Sequence, residues 1–456
     1  MPTIFRTRLL QLCTALLCGV LPFSPSLAGA AEPTVSTLQV QGSHSPADLV
    51  CPDAPTASKR ATSRTPVNTT SLDHVDLSAV LAYTPQINGD HVPLAGMQRP
   101  SGVPAVAVWG DSHAAAAFLT DGMLTALGWD KAAVAPSFIP PTMARAGVRL
   151  PMRKFCQAPN WRLQTAINIE KAGRRVGPAL AALENTQTDA WLWLDFRRPS
   201  ENTRVLRGVD VLLQVIGTED AQLSVTGDTG TAQVLQLPPG AQRIHLHAPE
   251  GFSQVRLQVR AGRVQIDGYA PEYMRPPRLI WDVLGIPSAV ARSWQSAQPA
   301  AWWQQRRDYD LLLLEYGTNE GADAHFSESQ YRNSLRRSLE QMRAAFPQTP
   351  CLLIGPTDRG VLPSKWQSQM DVDSALRYSR VHAQIASVQR ELALDFSCGF
   401  WDWQASMGGM AGAYHWYSAS PKLMAPDLIH LSMKGYQRSG QILVDDMRLR
   451  QWLAPR

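Results

Sequence analysis

Charge and long apolar runs are both scarce in this sequence. Of its 456 residues only 18% are charged, and the formal net charge is +5 at pH 7. Without a cluster of basic residues, so small an excess does not suggest nucleic-acid binding. Beyond residue 30 no stretch approaches the roughly 20 apolar residues of a membrane span, so no transmembrane anchor is expected. With 45% hydrophobic residues, the chain has material for two or three globular domains.

The first 30 residues have the composition of a secretory signal. Arg6 and Arg8 precede the apolar run 9–21, and small residues at 28–30 end the segment where signal peptidase would cut. The run is too short for a comfortable transmembrane helix. Residues 1–30 are therefore predicted to be a signal peptide, and its removal takes away two positive charges and leaves a net charge of +3.

Cysteine is rare, and its spacing excludes one kind of site. The six cysteines lack the Cys-x-x-Cys pairs of structural zinc sites. Four of them, Cys51, Cys156, Cys351 and Cys398, remain in an exported chain, where two disulfides with three possible connectivities are allowed. Cys351 and Cys398 each lie near the start of a predicted core strand. That position favours their pairing and leaves Cys51 with Cys156.

The hydrophobic pattern divides the rest of the chain into four parts. Residues 31–75 are rich in Ser, Thr, Pro and Ala and are predicted to be a poorly ordered lead-in. Residues 76–186 and 273–456 alternate strands with helices, including a helical segment over 165–185, which predicts an α/β domain with a mostly parallel sheet. Residues 187–272 alternate apolar and polar residues between turn signals. They are predicted to be an inserted antiparallel β-sandwich.

Ser112 lies between a predicted buried strand, 105–110, and a predicted helix over 114–127. A serine at a strand-to-helix turn is close to the free N–H groups of the helix start, where the helix dipole favours the negative charge that acyl transfer develops. Ser112 is therefore a candidate nucleophile. The alternative is that Asp111 and Ser112 only cap the helix, and Gly110-Asp111-Ser112-His113 taken alone favours that alternative.

Two further groups of polar residues follow predicted core elements. Asn319 comes just after the buried strand 311–316, so it should lie at the same sheet edge as Ser112, where α/β sheets bind ligands. Asp427 precedes His430 by three residues in a loop, a spacing that lets the carboxylate support the imidazole as a general base. A capping aspartate beside a surface histidine is the alternative for that tetrapeptide alone.

Together these motifs resemble the SGNH (GDSL-type) hydrolase family. Its first block is similar to Gly110-Asp111-Ser112-His113, its second to the segment around Gly285, its third to Gly317-Thr318-Asn319, and its fifth to Asp427 with His430. The resemblance implies a flavodoxin-like three-layer domain. It also implies catalytic roles for Ser112, Asp427 and His430, and an oxyanion hole formed by Ser112, Gly285 and Asn319.

Two positions depart from the family's pattern. Glu320 follows Asn319 where many members have Asp, a change that we expect to be harmless. Pro287 takes a position that is often Gly or Asn, which could alter the second-block loop but leaves the Gly285 N–H available. His113 directly follows the candidate nucleophile, and its backbone fixes its side chain elsewhere, so no catalytic role is expected for it.

A narrower resemblance is to the periplasmic peptidoglycan O-acetylesterases of Gram-negative bacteria. The segments 109–113, 284–286 and 316–320, the aromatic segment 400–404 with 407–409, and a sandwich resembling a carbohydrate-binding module between the first two blocks are similar to that group. The resemblance implies a periplasmic enzyme that removes O-acetyl groups from muramic-acid residues without a metal or organic cofactor. Its partner would be O-acetylated peptidoglycan or a related polysaccharide, with peripheral association with the cell wall.

Three alternatives remain open at this stage. The same triad would make an O-acetyltransferase if a sugar hydroxyl outcompetes water. A deacetylase of another acetylated polysaccharide would use the same chemistry. A non-catalytic carbohydrate-binding protein is the third, although an intact set of Ser112, Asn319, Asp427 and His430 speaks against it. The sandwich itself either binds sugar or only shapes the cleft.

Overall fold

The computed structural model describes residues 33–52, 76–84, 91–174, 176–198, 201–297, 308–323, 325–361 and 371–455. The chain divides at Ala31 into two units, and all described residues lie in the second, Glu32–Arg456. The predicted signal peptide, 1–30, lies outside the described residues. No helix in the described ranges is long and apolar enough to cross a membrane.

The described part of this unit contains both strands and helices. The strands are β1 (Thr34–Gln39), β2 (Ala105–Gly110), β3 (Val134–Ala135), β4 (Lys154–Gln157), β5 (Trp161–Thr165), β6 (Ala181–Asn185), β7 (Trp191–Asp195), β8 (Leu206–Ile216), β9 (Ala221–Thr226), β10 (Gln233–Leu237), β11 (Gly240–Phe252), β12 (Gln254–Ala261), β13 (Arg263–Tyr273), β14 (Leu279–Gly285), β15 (Leu311–Glu315), β16 (Cys351–Ile354) and β17 (Gly399–Trp401). The helices are α1 (Ser78–Leu81), α2 (Ser112–Ala115), α3 (Phe118–Leu127), α4 (Ala166–Lys171), α5 (Glu328–Ala345), α6 (Val372–Ala375), α7 (Arg377–Asp395), α8 (Trp403–Ser406), α9 (Gly412–Ser418), α10 (Met433–Asp446) and α11 (Arg450–Leu453).

A six-stranded parallel sheet forms the centre of the α/β part. Its order is β17-β16-β15-β2-β14-β3. Apart from the two-residue edge strand β3, this is the flavodoxin-like order 2-1-3-4-5 if its strands are counted along the chain from β2. Alternate residues of β2 face opposite helix layers: Val106 and Val108 join one buried cluster, and Ala107 and Trp109 join another. The predicted three-layer α/β fold is confirmed.

The sandwich packs two further sheets around a third buried cluster. One has the order β1-β11-β8-β13-β6-β5 and the other β10-β9-β12-β7-β4. Most of their pairs are antiparallel, and β1 pairs with β11 in parallel. The predicted inserted β-sandwich is therefore present.

Its boundaries differ from the sequence-based prediction of 187–272. Strands β4, β5 and β6 belong to the sandwich, so it begins near Lys154, and only Ala166–Lys171 of the predicted helical segment 165–185 is helical. The lead-in contributes β1, whose side chains are mostly exposed or half-exposed. Such edge strands bury few side chains, so they leave little hydrophobic periodicity in the sequence. The part of the lead-in between 53 and 75 lies outside the described residues.

Both favoured disulfides are confirmed. Cys351, the first residue of β16, is bonded to Cys398, which directly precedes β17. Cys51 is bonded to Cys156 in β4. The first bond joins neighbouring strands of the parallel sheet, and the second ties the lead-in to the sandwich.

Candidate active site

The turn after β2 brings Ser112 to the carboxyl edge of the parallel sheet. Gly110 ends the strand, and a Cβ atom there would lie 2.7 Å from both the backbone oxygen and the carboxylate oxygen Oε2 of Glu315 on β15. Asp111 is fully buried, and its Oδ1 accepts a hydrogen bond from the His113 backbone N–H at 2.9 Å. Ser112 follows as a half-buried residue.

The predicted helix 114–127 is wrong in one respect. It is broken into α2, a single turn, and α3, with Ala117 between them in the left-handed conformation at φ 57°. A single turn carries little of the macrodipole that first suggested Ser112 as a nucleophile. The case for Ser112 therefore depends on its contacts.

Ser112 and His430 are 318 residues apart in sequence and in contact in the structure. The distance from His430 Nε2 to Ser112 Oγ is 3.0 Å, and His430 Nδ1 lies 2.7 Å from Asp427 Oδ2. The second oxygen of Asp427 accepts the backbone N–H groups of Ile429 at 3.0 Å and His430 at 2.9 Å. The carboxylate thus fixes both the loop and the imidazole. With Nδ1–H donated to Asp427, Nε2 is free to accept the Ser112 hydroxyl proton.

Electrostatics favour a more basic imidazole at this position. The hydrogen bond to Asp427 raises the pKa of His430 above its ordinary value, although burial acts in the opposite direction. Burial alone would raise the pKa of Asp427, but the hydrogen bond from His430 holds it below its ordinary value. Both shifts describe a carboxylate that stabilises the protonated form of the base.

Asn319 lies beside Asp111, as expected from the strand order. Its side-chain Nδ2 donates to Asp111 Oδ2 at 3.2 Å and to the Ala289 backbone oxygen at 2.9 Å. Both hydrogens of the amide are engaged by these two bonds. To donate to an oxyanion, the amide would have to break one of these two hydrogen bonds. The bond to Asp111 is the longer of the two and therefore the easier to break.

Gly285 lies at the end of β14, in register with Gly110. A Cβ atom at position 285 would be 2.3 Å from the Ala115 backbone nitrogen, so only glycine lets this strand pass so close to α2. The backbone N–H of Ile286 donates to the Gly110 oxygen at 2.9 Å. The second block therefore lies against the turn that carries Ser112.

Glu320 and His113, each next to a candidate site residue in the sequence, both have definite hydrogen-bond partners. Glu320 has a definite contact: its carboxylate accepts the backbone N–H groups of Ala291 at 2.8 Å and Gly317 at 3.2 Å, and burial raises its pKa to about 7. His113 is fully buried, its Nδ1 lies 2.9 Å from the Tyr436 hydroxyl, and burial lowers its pKa well below the ordinary value. The ring of the neutral, buried His113 packs against the His430 ring, with the two ring centroids 5.4 Å apart.

Two charged residues of this region were missed by the sequence analysis. Glu315 is fully buried behind Asp111, whose backbone N–H it accepts at 3.1 Å. Arg359 is buried in the segment after β16; it donates to the Thr318 oxygen at 3.4 Å and stands 4.4 Å over the Tyr378 ring. Its positive charge offsets a small part of the rise in the pKa of His430 that Asp427 causes. Their positions at or just past the carboxyl ends of sheet strands were the available signal.

The described part of the chain contains no group of three or more His, Cys, Asp or Glu residues arranged to hold a metal ion.

Comparisons with known proteins bear on the family and the fold of this chain. Residues 258–438 match the GDSL-like Lipase/Acylhydrolase family. The predicted resemblance to the SGNH (GDSL-type) hydrolases is thereby confirmed. The match contains Gly285, Asn319, Asp427 and His430. Ser112 precedes it in the sequence, and most strands of the sandwich lie between the two. The match supports a carboxylic ester hydrolase.

Solved structures with a similar fold include one described as a peptidoglycan O-acetylesterase in action. It is 20% identical, with a TM-score of 0.51, and the alignment covers 77% of this chain and 92% of that one. A family two carbohydrate esterase from Cellvibrio japonicus is 11% identical, with a TM-score of 0.25 and coverages of 66% and 98%. At 20% identity, the likeness to the first of these structures concerns the fold. No curated protein matches the sequence.

Proposed function

We propose that this protein is a serine-dependent O-acetylesterase that removes acetyl groups from muramic-acid residues of peptidoglycan. The observation that carries the proposal is the continuous chain of contacts from Asp427 through His430 to Ser112, at 2.7 and 3.0 Å. A nucleophile, a base and an acid that orients the base are what acyl transfer requires.

The reaction follows from this arrangement in two halves. Ser112 Oγ attacks the acetyl carbonyl carbon while His430 Nε2 takes its proton. The tetrahedral intermediate then collapses, the sugar oxygen leaves with the proton from His430, and an acetyl ester on Ser112 remains. In the second half, His430 deprotonates a water molecule that attacks this ester, and acetate leaves as the proton returns to Ser112.

Three hydrogen-bond donors are proposed to form the oxyanion hole. The backbone N–H groups of Ser112 and Gly285 and the side-chain amide of Asn319 would bind the negative oxygen of each tetrahedral intermediate. The engaged amide of Asn319 would turn from Asp111 toward the substrate as the charge develops.

Peptidoglycan is the preferred substrate for two reasons. The motifs and the inserted sandwich resemble the periplasmic O-acetylesterases that act on it, and the fold is similar to that of a protein described as a peptidoglycan O-acetylesterase. A deacetylase of another acetylated polysaccharide would share both the triad and the fold. Acetylated xylan is therefore the comparison substrate.

Acetyl transfer is the second candidate function, and the same residues would catalyse it. We would measure acetate release from O-acetylated peptidoglycan, and acetyl transfer to an added muro-oligosaccharide, with the Ser112→Ala variant as control. Acetate release without transfer supports the esterase. Transfer that outpaces release would identify an acetyltransferase, and neither activity, with retained polysaccharide binding, would identify a binding protein.

Export to the periplasm, with peripheral association with the cell wall, is part of the proposal. It depends on the charged start, apolar run and small residues of positions 1–30. N-terminal sequencing of protein recovered from the periplasm should show a start after Ala30. Recovered protein that still began at Met1 would contradict it.

A further inference from the structure

Two neighbouring cavities lie between the α/β part and the sandwich. One, of about 300 Å³, is lined on the α/β side by residues of α3 and β14, among them Leu124 and Trp281. The other, of about 560 Å³, is lined by sandwich residues including Phe196 and Tyr273. Both share the wall residues Ala135, Pro136, Pro151 and Arg198. The two cavities adjoin at these residues and are together called the basic groove.

The groove carries an excess of positive charge. Its basic lining residues are Lys131, Arg149, Arg198, Arg204 and Arg275, and its acidic ones are Asp121 and Glu201. Asp121 pairs with both Lys131 and Arg149, at 3.2 and 3.3 Å, so these three residues together keep one positive charge. The side chains of Lys131 and Arg149 are 63% and 50% exposed, which leaves their charges accessible. Arg204 also lies 3.8 Å from Glu250, so the five basic residues outnumber their three acidic neighbours by two.

One end of the groove adjoins the candidate active site. The backbone N–H of Arg149 donates to the oxygen of Ala115, the last residue of α2, at 3.0 Å. In the same loop, the Arg145 guanidinium donates to the Pro287 oxygen at 3.3 Å, in the second-block loop. A single loop thus forms the border between the groove and the turn that holds Ser112.

We propose that the basic groove binds a polysaccharide chain that bears carboxylates, an inference that rests on the proposed function. Peptide stems give peptidoglycan strands such negative charge, and a basic surface attracts them over several ångströms. The half-buried Tyr273 provides a flat apolar wall for the C–H face of a sugar ring, with the arginine side chains as donors to carboxylates. The polymer would run from Ser112 along the sheet edge to the sandwich.

A second surface of the sandwich offers a rival location. Trp191 and Trp193 are half-buried neighbours on the outer face of β7, with ring centroids 5.8 Å apart, and the Arg256 guanidinium stands 5.1 Å over Trp193. Aromatic faces of this kind also accept sugars. Arg256 supplies one positive charge there, against five basic residues lining the basic groove, so the groove is the better site for an anionic chain.

Binding to insoluble peptidoglycan tests the groove independently of catalysis. The protein carries Ser112→Ala throughout, so that acetyl groups stay on the polymer, and co-sedimentation with O-acetylated peptidoglycan is measured at low and high salt. The groove variant is Arg204→Gln with Arg275→Gln, both of which line only the cavity on the sandwich side. The control variant is Arg337→Gln with Arg448→Gln, two exposed arginines that line neither cavity and give the same change in net charge.

At low salt the groove variant should bind about three- to tenfold more weakly than the control variant, because each exposed ion pair contributes modestly. The difference should shrink at about 1 M salt, where charges are screened beyond about 3 Å. Neutral acetylated xylan should show no such difference. Equal binding by the two variants would overturn the proposal, as would loss of binding by Trp191→Ala with Trp193→Ala alone.

Failure of the proposed function is visible separately in this design. The protein with Ser112 intact is assayed for acetate release from the same peptidoglycan. An absence of release, with groove-dependent binding intact, would reject the esterase and keep the groove. Acetate release together with equal binding by the groove and control variants would keep the esterase and reject the groove.

Discussion

The backbone N–H of Asp111 donates to Glu315 Oε2 at 3.1 Å, and both side chains are fully buried beside the candidate nucleophile. Burial raises the pKa of Asp111 to about 6 and the pKa of Glu315 well above its ordinary value, with the nearby Asp111 charge adding to the second shift. Of this pair, Glu315 is the carboxyl group that both burial and its charged neighbour drive toward protonation. The Asp111 carboxyl group accepts hydrogen bonds from the His113 N–H and the Asn319 amide.

Replacing Glu315 by Gln should change how stability depends on pH. A carboxyl group with a raised folded-state pKa stabilises the fold fully below its unfolded pKa of about 4.5, and this contribution is lost as pH rises toward the folded pKa. Because glutamine does not titrate, the Glu315→Gln protein should gain free energy of unfolding relative to the wild type between pH 5 and pH 8. Urea unfolding at several pH values measures this, and a constant difference across the range would count against it.

The pH dependence of kcat/KM should report the raised pKa of His430. The base must be neutral to accept the Ser112 proton, so activity should rise with pH through a midpoint above the ordinary histidine value of about 6.5. Asp427→Asn removes the hydrogen bond that raises this pKa. The midpoint should then move to lower pH, with kcat lower by roughly 10³-fold or more. An unshifted midpoint in a folded Asp427→Asn protein would show that another group titrates.

Asn319→Ala tests the oxyanion assignment. If the amide binds charge present only in the transition state, kcat should fall by roughly 10²–10³-fold while KM moves much less. The same substitution removes the bonds to Asp111 and Ala289, so the free energy of unfolding should fall by about 1–3 kcal/mol. A folded variant that kept nearly full kcat on acetyl esters would remove Asn319 from the oxyanion hole.

The parallel sheet, the positions of Ser112 and Asn319 at its carboxyl edge, and the spacing of Asp427 and His430 could be predicted from sequence because each depends on local pattern. The flavodoxin-like strand order was implied only by the family resemblance. Buried strands appear as apolar runs, and functional residues follow their carboxyl ends. The pairing of Asp111 with Glu315 could not be predicted. It depends on the register that places Glu315 opposite Gly110, where the missing side chain makes room for a carboxyl group.

The boundaries of the sandwich could not be predicted from the sequence either. Strands β4 and β6 pair with β7 and β13, so their membership depends on partners 30 or more residues away along the chain. Excision of 187–272 would remove those partners and leave the earlier strands unpaired. Point substitutions in the basic groove are consequently a cleaner test of what the sandwich contributes than its deletion.

The central claim is that the acetyl group passes through Ser112 Oγ. Its most direct test is to react the enzyme with O-acetylated peptidoglycan, quench it in acid and determine by mass spectrometry which residue carries an acetyl group. A serine-directed sulfonyl fluoride should label the same residue. We predict acetyl and sulfonyl adducts on Ser112 in the wild type, and neither adduct nor enzymatic acetate release in Ser112→Ala. A folded Ser112→Ala protein that released acetate at the wild-type rate would contradict the account.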